Sequence, residues 1–524
     1  MAPAKTIVQM PIHNPHNVEA EIVFDDDENV GTGQEIHQYT TYDDISGHVS
    51  FRSRQSVPTE FDHVQIALTG FTKTFKHDHL TPQPSATQAY ASHVFLRLTM
   101  PIPPSAYNGD FTLKKSQPRS FPFHFVVPAQ LLNTACKHPI GGEHVQEAHS
   151  NLPPSMGEYL LPLDDLAPEM AKISYAVTAK LVSKAKDNGK TINLAAAQRK
   201  MHIIPAIPEL PPTHIPKTSE KWVLSKTKSM KRGVFKGKLG TVTVSTSQPR
   251  ALVLNPSSRH QPTAIATVNY KFYPAEAGTK PPRLGAIGSK LRGTTYSSIR
   301  AVAEIPDDHA KATPLERFSG IYNNTISLAH RCVENVQWEW HVPAPAYVRR
   351  DSGYSSSSIN SGSVDSFDPP QDSSKGWYEA SVPIPITLPK SKTWLPTFHS
   401  CLVSRFYTLV LETSIHTPGT AVPQTQITLR CPIQIASIPR EGRHQSFVEN
   451  APRGEMVPSF SDAVHTERER GERSVAIRSE ARRLQEIEEE VDAQLRRDLG
   501  RATRESLQVQ ELPPGYERRI GVGA

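Results

Sequence analysis

The sequence has few cysteines, no long apolar run and little excess charge. Its four cysteines, Cys136, Cys332, Cys401 and Cys431, lie far apart and include no Cys-x-x-Cys pair. This spacing predicts neither a disulfide framework nor a zinc site, and it is typical of a reducing cytosol. No apolar run approaches the length that crosses a bilayer, and the first residues lack a secretory signal pattern. We therefore expect a cytoplasmic protein whose contact with membranes is peripheral.

The composition is also poor in apolar residues and rich in proline. Hydrophobic residues make up 37% of the chain, and its 46 prolines exclude long helices over most of the sequence. Prolines at short intervals suit short strands joined by loops. The net charge of +6 is modest for 524 residues, whereas a dedicated nucleic-acid-binding protein concentrates more positive charge. We therefore expect no nucleic-acid partner.

Alternating apolar and polar residues predict β-strands along most of the chain. In the first part, the clearest segments are residues 45–51, 63–70, 92–98, 121–128 and 172–181. Alternation with period two buries one face of a strand and wets the other, as in antiparallel sheets. Because no helical pattern interleaves these segments, the sequence argues against a parallel α/β sheet.

The alternation stops at residues 204–212, a proline-rich segment that we interpret as an extended linker. A second series of strands follows at residues 239–244, 263–270, 377–382, 406–411 and 426–429. The fold class we predict is all-β, with two consecutive antiparallel immunoglobulin-like β-sandwiches. The expected organisation is a flexible leader at residues 1–17, an N domain at 18–205 and a C domain at 206–440.

Two segments lack the strand pattern. Residues 351–374 hold ten serines and cannot bury enough apolar area to fold, so we expect a disordered insertion in the C domain. Ser352 and Ser356 are candidate phosphorylation sites within it, and each phosphate would add about two negative charges. A passive insertion is the alternative. Residues 441–524 form a tail, in which apolar residues at spacings of three and four predict a charged helix over residues 475–499.

The tail contains a short proline motif at residues 513–516. Pro513 and Pro514 are followed by Gly515 and Tyr516, so the segment is a Pro-Pro-x-Tyr peptide. Two prolines preset the polyproline II conformation, and such segments bind the aromatic-lined groove of WW domains. Tyr516 would fill a second pocket and use its hydroxyl group as a polar contact. The alternative is an ordinary turn, since Pro-Gly pairs are turn signals.

Several segments, in this order, resemble the arrestin domains of α-arrestins. In the N domain the similar segments are residues 61–70, which end in Gly70, residues 121–128, and residues 152–157 followed by 173–177. In the C domain they are residues 395–398 and 405–409. The resemblance covers residues 20–440 and implies two arrestin-type sandwiches. It also implies an adaptor that binds a plasma-membrane transporter or receptor and recruits a WW-containing HECT ubiquitin ligase, at the plasma membrane or endosomes.

The tail departs from the common α-arrestin pattern because it carries one perfect motif rather than two. Residues 457–460 read Val-Pro-Ser-Phe and resemble a degraded second copy. Pro458 and Phe460 are therefore candidates for a weak second WW ligand, although Phe460 lacks the hydroxyl group. The alternative is an ordinary Pro-Ser loop.

A basic cluster follows the predicted linker. Its members are Lys217, Lys221, Lys226, Lys228, Lys231, Arg232, Lys236 and Lys238. Lys226, Lys228 and Lys231 are candidates for contact with an anionic membrane leaflet, where each charge contributes about 1 kcal/mol, or for ubiquitylation. A solvated loop that leads into a strand is the alternative. Nucleic-acid binding is disfavoured because few aromatic residues interleave with the lysines.

The sequence predicts no catalytic residue, metal or cofactor. No Gly-x-Ser-x-Gly elbow, Walker-type loop or dinucleotide glycine loop is present, and no pair of histidines has the spacing of helical metal ligands. Residues 25–28 are acidic, but without a glycine-turn ligand loop we interpret them as a solvated acidic loop rather than a calcium site. We expect an adaptor. The main alternative is a trafficking scaffold of the retromer-subunit type, and a nucleic-acid-associated regulator is the third.

Overall fold

The computed structural model describes most of the predicted strand region. The described residues are 10–11, 17–27, 37–77, 88–115, 117–157, 163–184, 191–215, 219, 221–233, 237–258, 260–306, 319–333, 335–342, 376–417 and 424–440. The serine-rich insertion, the predicted tail helix and the candidate residues Ser352, Ser356, Pro458, Phe460, Pro513, Pro514 and Tyr516 lie outside the described residues. Below, residues 10–215 are called the N half and residues 219–440 the C half.

The N half is built mainly from strands. They are β1 (Met10–Pro11), β2 (Val18–Phe24), β3 (Gln38–Tyr39), β4 (Asp44–Ser53), β5 (Thr59–Glu60), β6 (His63–His77), β7 (Gln88–Thr99), β8 (Thr112–Leu113), β9 (Arg119–Val126), β10 (Ala171–Lys184) and β11 (Thr191–Ile203). Between β9 and β10 lies the helix α1 (Glu143–Ser150), and short 3-10 turns cover Pro104–Tyr107 and Asn133–Ala135. Strand β1 falls within the segment predicted as a leader.

Two sheets of the N half face each other across one core. The larger sheet has the order β1-β11-β10-β6-β7, with β3 parallel to β11, and the smaller has the order β2-β4-β9. Alternate residues of β4 are buried, including Ile45, Val49 and Phe51, and they pack in the same core as Ile66 and Val177 of the larger sheet. The alternation of apolar and polar residues in β4 therefore buries one face of the strand, as predicted.

The C half repeats this two-layered arrangement. Its strands are β12 (Ser225–Lys231), β13 (Lys238–Thr246), β14 (Leu252–Leu254), β15 (Thr263–Pro274), β16 (Arg283–Ser298), β17 (Ser319–Cys332), β18 (Glu339–His341), β19 (Trp377–Thr387), β20 (Phe398–His399), β21 (Val403–His416), β22 (Thr425–Ile433) and β23 (Ile435–Ser437). One sheet has the order β12-β13-β15-β19-β18, and the other has the order β17-β16-β21-β20 with β22 on β21. Both contribute to a second core.

The strands predicted from alternation are all confirmed within the described residues, as is the all-β class. One detail differs: the segment that the sequence suggested would end at Gly70 continues as β6 to His77. A register shift lies between Gly70 and Phe71. A Cβ atom at Gly70 would come within 2.5 Å of the Phe95 ring and 2.9 Å of the Tyr175 ring. Gly70 therefore allows close packing of two aromatic rings and does not end the strand.

The two cores are joined rather than separate. The described residues of both halves belong to one compact unit, and the N-half core includes C-half residues, among them Leu395, Phe398 and Leu402. In return, Leu166 of the N half is buried in the C-half core. The segment predicted as a linker is also held, because the amide of Ile207 donates to the carbonyl of Ser437 at 3.0 Å. Among the described residues, no helix is both long and apolar enough to cross a bilayer.

Candidate functional site

Two cysteines and two histidines meet where the N half contacts the C half. Cys136 follows the 3-10 turn at Asn133–Ala135, and His138 lies two residues further along the same loop. His149 is near the end of α1, and Cys401 lies between β20 and β21 of the C half. One ligand atom from each residue lies within 4.8 Å of the ligand atoms of the other three. We call these four residues the Cys/His cluster.

The two sulfurs are central to the Cys/His cluster. The Sγ atoms of Cys136 and Cys401 are 3.7 Å apart. The Nδ1 atom of His149 lies 3.6 Å from the Cys136 sulfur and 3.8 Å from the Cys401 sulfur. The Nε2 atom of His138 lies 3.0 Å from the Cys136 sulfur. Each imidazole thus turns one ring nitrogen towards the sulfurs.

The opposite ring nitrogens contact a backbone carbonyl in one case and a third histidine in the other. Nδ1 of His138 lies 2.8 Å from the carbonyl oxygen of Pro139, which can only accept, so this nitrogen carries the proton. Nε2 of His149 lies 3.1 Å from Nε2 of His399, whose Nδ1 lies 2.6 Å from the Ser404 hydroxyl. A consistent arrangement has His149 donating to His399 and His399 donating to Ser404. Both histidines of the Cys/His cluster then direct a lone pair at the sulfurs.

Burial favours the uncharged forms of His149, His399 and Cys401. Burial lowers the pKa of His149 to about 4, with a further contribution from the charges of His138 and His93. Burial also lowers the pKa of His399 to about 3. The pKa of the Cys401 thiol is raised to about 12, chiefly by burial and then by Cys136. At neutral pH the His149 imidazole is therefore neutral and able to act as a ligand.

Backbone contacts hold both sides of the Cys/His cluster. Nε2 of His93 donates to the carbonyl of Ala135 at 2.9 Å, which positions the residue before Cys136. On the C-half side, the amide of Val302 donates to the Cys401 carbonyl at 2.9 Å. The loop after His138 also contacts the C half, because the amide of Gly141 donates to the Ala303 carbonyl at 2.8 Å. The cluster is thus part of a structured contact between the halves.

The sequence predicted no metal site because the four residues do not have the short spacings of common ligand motifs. Only Cys136 and His138 are near each other in sequence, and a Cys-x-His pair is a weak signal. His149 lies 13 residues beyond Cys136, and Cys401 lies 265 residues beyond it. The packing of the C half on the N half brings the four together, so spacing alone could not reveal them.

A second contact between the halves is centred on Arg405, which is fully buried. Its guanidinium donates to the carbonyls of Leu166 at 2.9 Å and Asp165 at 3.3 Å. Leu166 has a left-handed backbone with φ of 60°, which is rare for a residue with a branched side chain. Burial raises the pKa of the Asp165 carboxyl, although amide hydrogen bonds and the charge of Arg405 oppose this effect. Arg405 therefore stabilises a strained turn that inserts into the C half.

The candidate lysines lie on an edge strand rather than in the solvated loop that was their alternative interpretation. Lys226, Lys228 and Lys231 belong to β12, which pairs only with β13 among the described strands. Lys226 and Lys231 are exposed, whereas Lys228 is half-buried and donates to the Gln426 carbonyl at 2.8 Å. Lysines on an edge strand also prevent pairing with other sheets. Exposure is compatible with membrane contact or ubiquitylation, and edge protection is a further structural role.

The acidic segment at residues 25–28 is more ordered than the expected solvated loop. Nη1 of Arg199 donates to Asp27 at 2.7 Å, and Nη2 donates to the other carboxylate oxygen. Nε2 of His37 lies 2.8 Å from Asp27, and the Tyr39 hydroxyl donates to Asp26 at 3.2 Å. The carboxylates of Asp26 and Asp27 are thus held by the side chains of Arg199, His37 and Tyr39. Glu28 lies outside the described residues.

Comparisons with known proteins do not assign this chain to a family. No protein-family model matches the sequence, and no curated protein matches it. The resemblance to arrestin domains therefore depends on the segments quoted above.

Proposed function

We propose that this protein is an α-arrestin-like adaptor that brings a WW-containing HECT ubiquitin ligase to a membrane transporter or receptor. The pair of β-layered halves binds the client at the plasma membrane or endosomes, and Pro513, Pro514 and Tyr516 bind the ligase. The ligase then ubiquitylates the client, which promotes endocytosis. The adaptor itself carries out no chemistry in this scheme.

The observation that carries the proposal is the Pro-Pro-Gly-Tyr sequence at residues 513–516. A preset polyproline II segment loses little conformational entropy on binding, and the tyrosine adds a specific contact. Two consecutive two-layered β structures support the proposal in a general way, because the resemblance implies such a pair. The length of chain between the strands and the motif would act as a tether that raises the local concentration of the ligase.

A trafficking scaffold without a ligase is the second candidate. It would use the same pair of halves, and the proline motif would be an ordinary turn. The two proposals differ in what Tyr516 does. Loss of the tyrosine ring removes ligase binding from an adaptor but leaves the interactions of a scaffold unchanged.

The test is a binding measurement between the full-length chain and the purified WW domains of a HECT ligase. We expect a dissociation constant between about 1 µM and 1 mM, since short linear ligands bury little area. Tyr516→Ala and Pro514→Ala should abolish this binding. Tyr354→Ala, which makes the same change elsewhere in a polar segment, is the matched control and should bind normally.

The weak second motif is tested in the same measurement. If residues 457–460 also bind, Phe460→Tyr should tighten binding to a ligase with several WW domains, and Phe460→Ala should weaken it modestly, because two linked contacts increase avidity. In cells, Tyr516→Ala should abolish ubiquitylation of the client. Unchanged ligase recruitment and unchanged client ubiquitylation in this variant would favour the scaffold.

A further inference from the structure

We propose that Cys136, His138, His149 and Cys401 bind one Zn²⁺ ion that fastens the N half to the C half. Three of the ligands belong to the N half, on the loop after β9 and on α1, and the fourth lies between β20 and β21 of the C half. Two thiolates and two imidazoles are a common ligand set for structural zinc. Four protein ligands leave no open coordination position, so the ion would have a structural rather than a catalytic role.

The distances among the two sulfurs and the His149 nitrogen fit a tetrahedral ion. With bonds of about 2.3 Å to sulfur and about 2.0 Å to nitrogen, two sulfurs lie about 3.8 Å apart and a sulfur and a nitrogen about 3.6 Å apart. The two Sγ atoms are separated by 3.7 Å. The Nδ1 atom of His149 is 3.6 Å from one sulfur and 3.8 Å from the other. The Nε2 atom of His138, at 3.0 Å from the Cys136 sulfur, is closer than this geometry requires and must move outward by about 0.6 Å.

The surroundings orient the imidazoles as metal ligands. Metal-bound histidines usually donate their other N–H group to a carbonyl or another acceptor, which fixes the ring. Here Pro139 provides that acceptor for His138, and His399, backed by Ser404, provides it for His149. This outer set of partners distinguishes the Cys/His cluster from four residues that merely meet in a core.

Two other states of these residues are conceivable, and the geometry favours zinc over both. A Cys136–Cys401 disulfide would need the sulfurs at about 2.0 Å, and it would leave the two oriented lone pairs unused. A metal-free cluster of thiol–imidazole hydrogen bonds would rely on thiols, which are weak donors. Sulfur and imidazole donors in a tetrahedral arrangement select zinc among the common divalent ions.

Zinc binding at the Cys/His cluster is linked to protons and to folding. Both cysteines must lose a proton, so binding of Zn²⁺ by two thiols and two neutral imidazoles releases two protons. Affinity should therefore decrease as the pH is lowered. Because the ligands come from both halves, the ion would stabilise the contact between them, in addition to Arg405.

The first experiment measures the metal content of the full-length chain, expressed with zinc and purified without chelators. We expect about one zinc ion per chain by elemental mass spectrometry. Cys401→Ser and Cys136→Ser should reduce the content at least tenfold. The matched controls are Cys431→Ser, which alters a buried cysteine away from the cluster, and Cys332→Ser, which alters an exposed one. Both controls should retain zinc.

A second experiment does not depend on the stability of the variants. The unmodified chain is stripped of metal and titrated with Co²⁺, which should produce sulfur-to-cobalt charge-transfer bands and the d–d bands of a tetrahedral site. Addition of Zn²⁺ should abolish these bands and raise the thermal midpoint of the stripped chain. The proline motif plays no part in either measurement, so the zinc site and the adaptor function are tested separately.

Three results would overturn the proposal. The stripped chain could fail to bind Co²⁺ or Zn²⁺, or zinc could be lost equally from Cys401→Ser and Cys431→Ser. Peptide mapping without reductant could also show that the native chain from a reducing cytosol carries a Cys136–Cys401 disulfide and no metal.

Discussion

The guanidinium of Arg405, on strand β21, donates a hydrogen bond of 2.9 Å to the backbone carbonyl of Leu166 in the other half of the molecule. Neither residue is exposed, and the Leu166 side chain packs in the C-half core. Asp164, on the same turn as Leu166, accepts a hydrogen bond of 2.7 Å from the Lys392 ammonium of the C half. The turn at residues 164–167 is therefore attached to the C half through its backbone, an apolar side chain and a carboxylate.

Replacement of Arg405 by methionine should destabilise this contact. The change leaves the buried carbonyls of Asp165 and Leu166 without donors, and it removes a positive charge near the buried Asp165 carboxyl. Unsatisfied buried groups cost about 1–3 kcal/mol each, so we expect the free energy of unfolding to decrease by roughly 2–4 kcal/mol. Urea unfolding followed by intrinsic fluorescence measures this change.

The control for Arg405→Met is Arg97→Met, on the exposed side of β7. A surface substitution of this kind should change the free energy of unfolding by less than about 0.5 kcal/mol. Equal effects of the two substitutions would show that the Arg405 contacts contribute nothing specific.

Asp27 should stabilise the N half in a pH-dependent manner. Burial acts to raise the pKa of Asp27, but the hydrogen bonds and charge of Arg199, together with His37, outweigh it and hold the pKa below its ordinary value of 3.8. A group with a depressed pKa in the folded state stabilises the fold above the unfolded-state pKa, and it loses this contribution as the pH falls through the folded-state pKa. The contribution should therefore be complete at pH 7 and decline below about pH 4.

We expect Asp27→Asn to lower the free energy of unfolding at pH 7 by about 1.5–3 kcal/mol, the range for hydrogen bonds to charged groups. The difference from the unmodified chain should narrow as the pH falls below about 4. Urea unfolding at several pH values measures both quantities. Asp44→Asn, which alters an exposed carboxylate paired with His124, should have little effect. A difference that is constant down to pH 3 would exclude titration of Asp27 as its cause.

Gly70→Ala should destabilise the N-half core by overpacking. The added Cβ atom would lie 2.5 Å from a carbon of the Phe95 ring and 2.9 Å from a carbon of the Tyr175 ring. Both rings are buried, and the Tyr175 hydroxyl is fixed by a 2.6 Å hydrogen bond to the Pro153 carbonyl. Forced shifts in a packed core typically cost 1–3 kcal/mol, so we expect a decrease of about that size in the free energy of unfolding.

The matched control for Gly70→Ala is Gly237→Ala. A Cβ atom at Gly237 meets no atom within 4 Å, and its backbone does not require glycine. Its effect should be neutral or slightly stabilising, because alanine restricts the unfolded chain. If Gly70→Ala is equally neutral in thermal unfolding, the two rings must be able to move apart without cost.

Several of the strands that were predictable from sequence have one buried and one solvent-exposed face. Strand β9, for example, alternates buried Phe121, Phe123 and Phe125 with exposed partners. Strand β16 was not predicted, because buried Thr295, Ser297 and Ser298 interrupt its alternation. The N half contacts this end of β16, as the hydrogen bond from the Thr74 hydroxyl to the Ser298 carbonyl shows. Contact between the halves therefore produces no alternating pattern of apolar and polar residues in the sequence.

The candidate sites also differ in whether local sequence or tertiary packing creates them. Linear motifs such as Pro513–Tyr516 can be found in the sequence because their chemistry is local. The Cys/His cluster is assembled by tertiary packing from residues that are distant in the chain, and no spacing rule covers them. The lysines on β12 are an intermediate case, because their charge is evident from sequence but their position on a sheet edge is not.

The last prediction concerns these lysines and an anionic membrane surface. The triple substitution of Lys226, Lys228 and Lys231 by glutamine should weaken binding of the full-length chain to phosphatidylserine vesicles by roughly tenfold or more, since each cation near such a surface contributes about 1 kcal/mol. Vesicle co-sedimentation measures this change. Binding of the unmodified chain should also weaken as the salt concentration rises, because exposed charges are screened.

The charge-matched control for the lysine variant replaces Lys114, Lys271 and Lys290 by glutamine. Each of these lysines is paired with a carboxylate, so its charge is already largely balanced. We expect this control to bind vesicles almost normally, and equal losses in the two variants would indicate a non-specific effect of net charge. If the β12 variant binds vesicles normally but self-associates in light scattering, the lysines protect the sheet edge from pairing and do not contact the membrane.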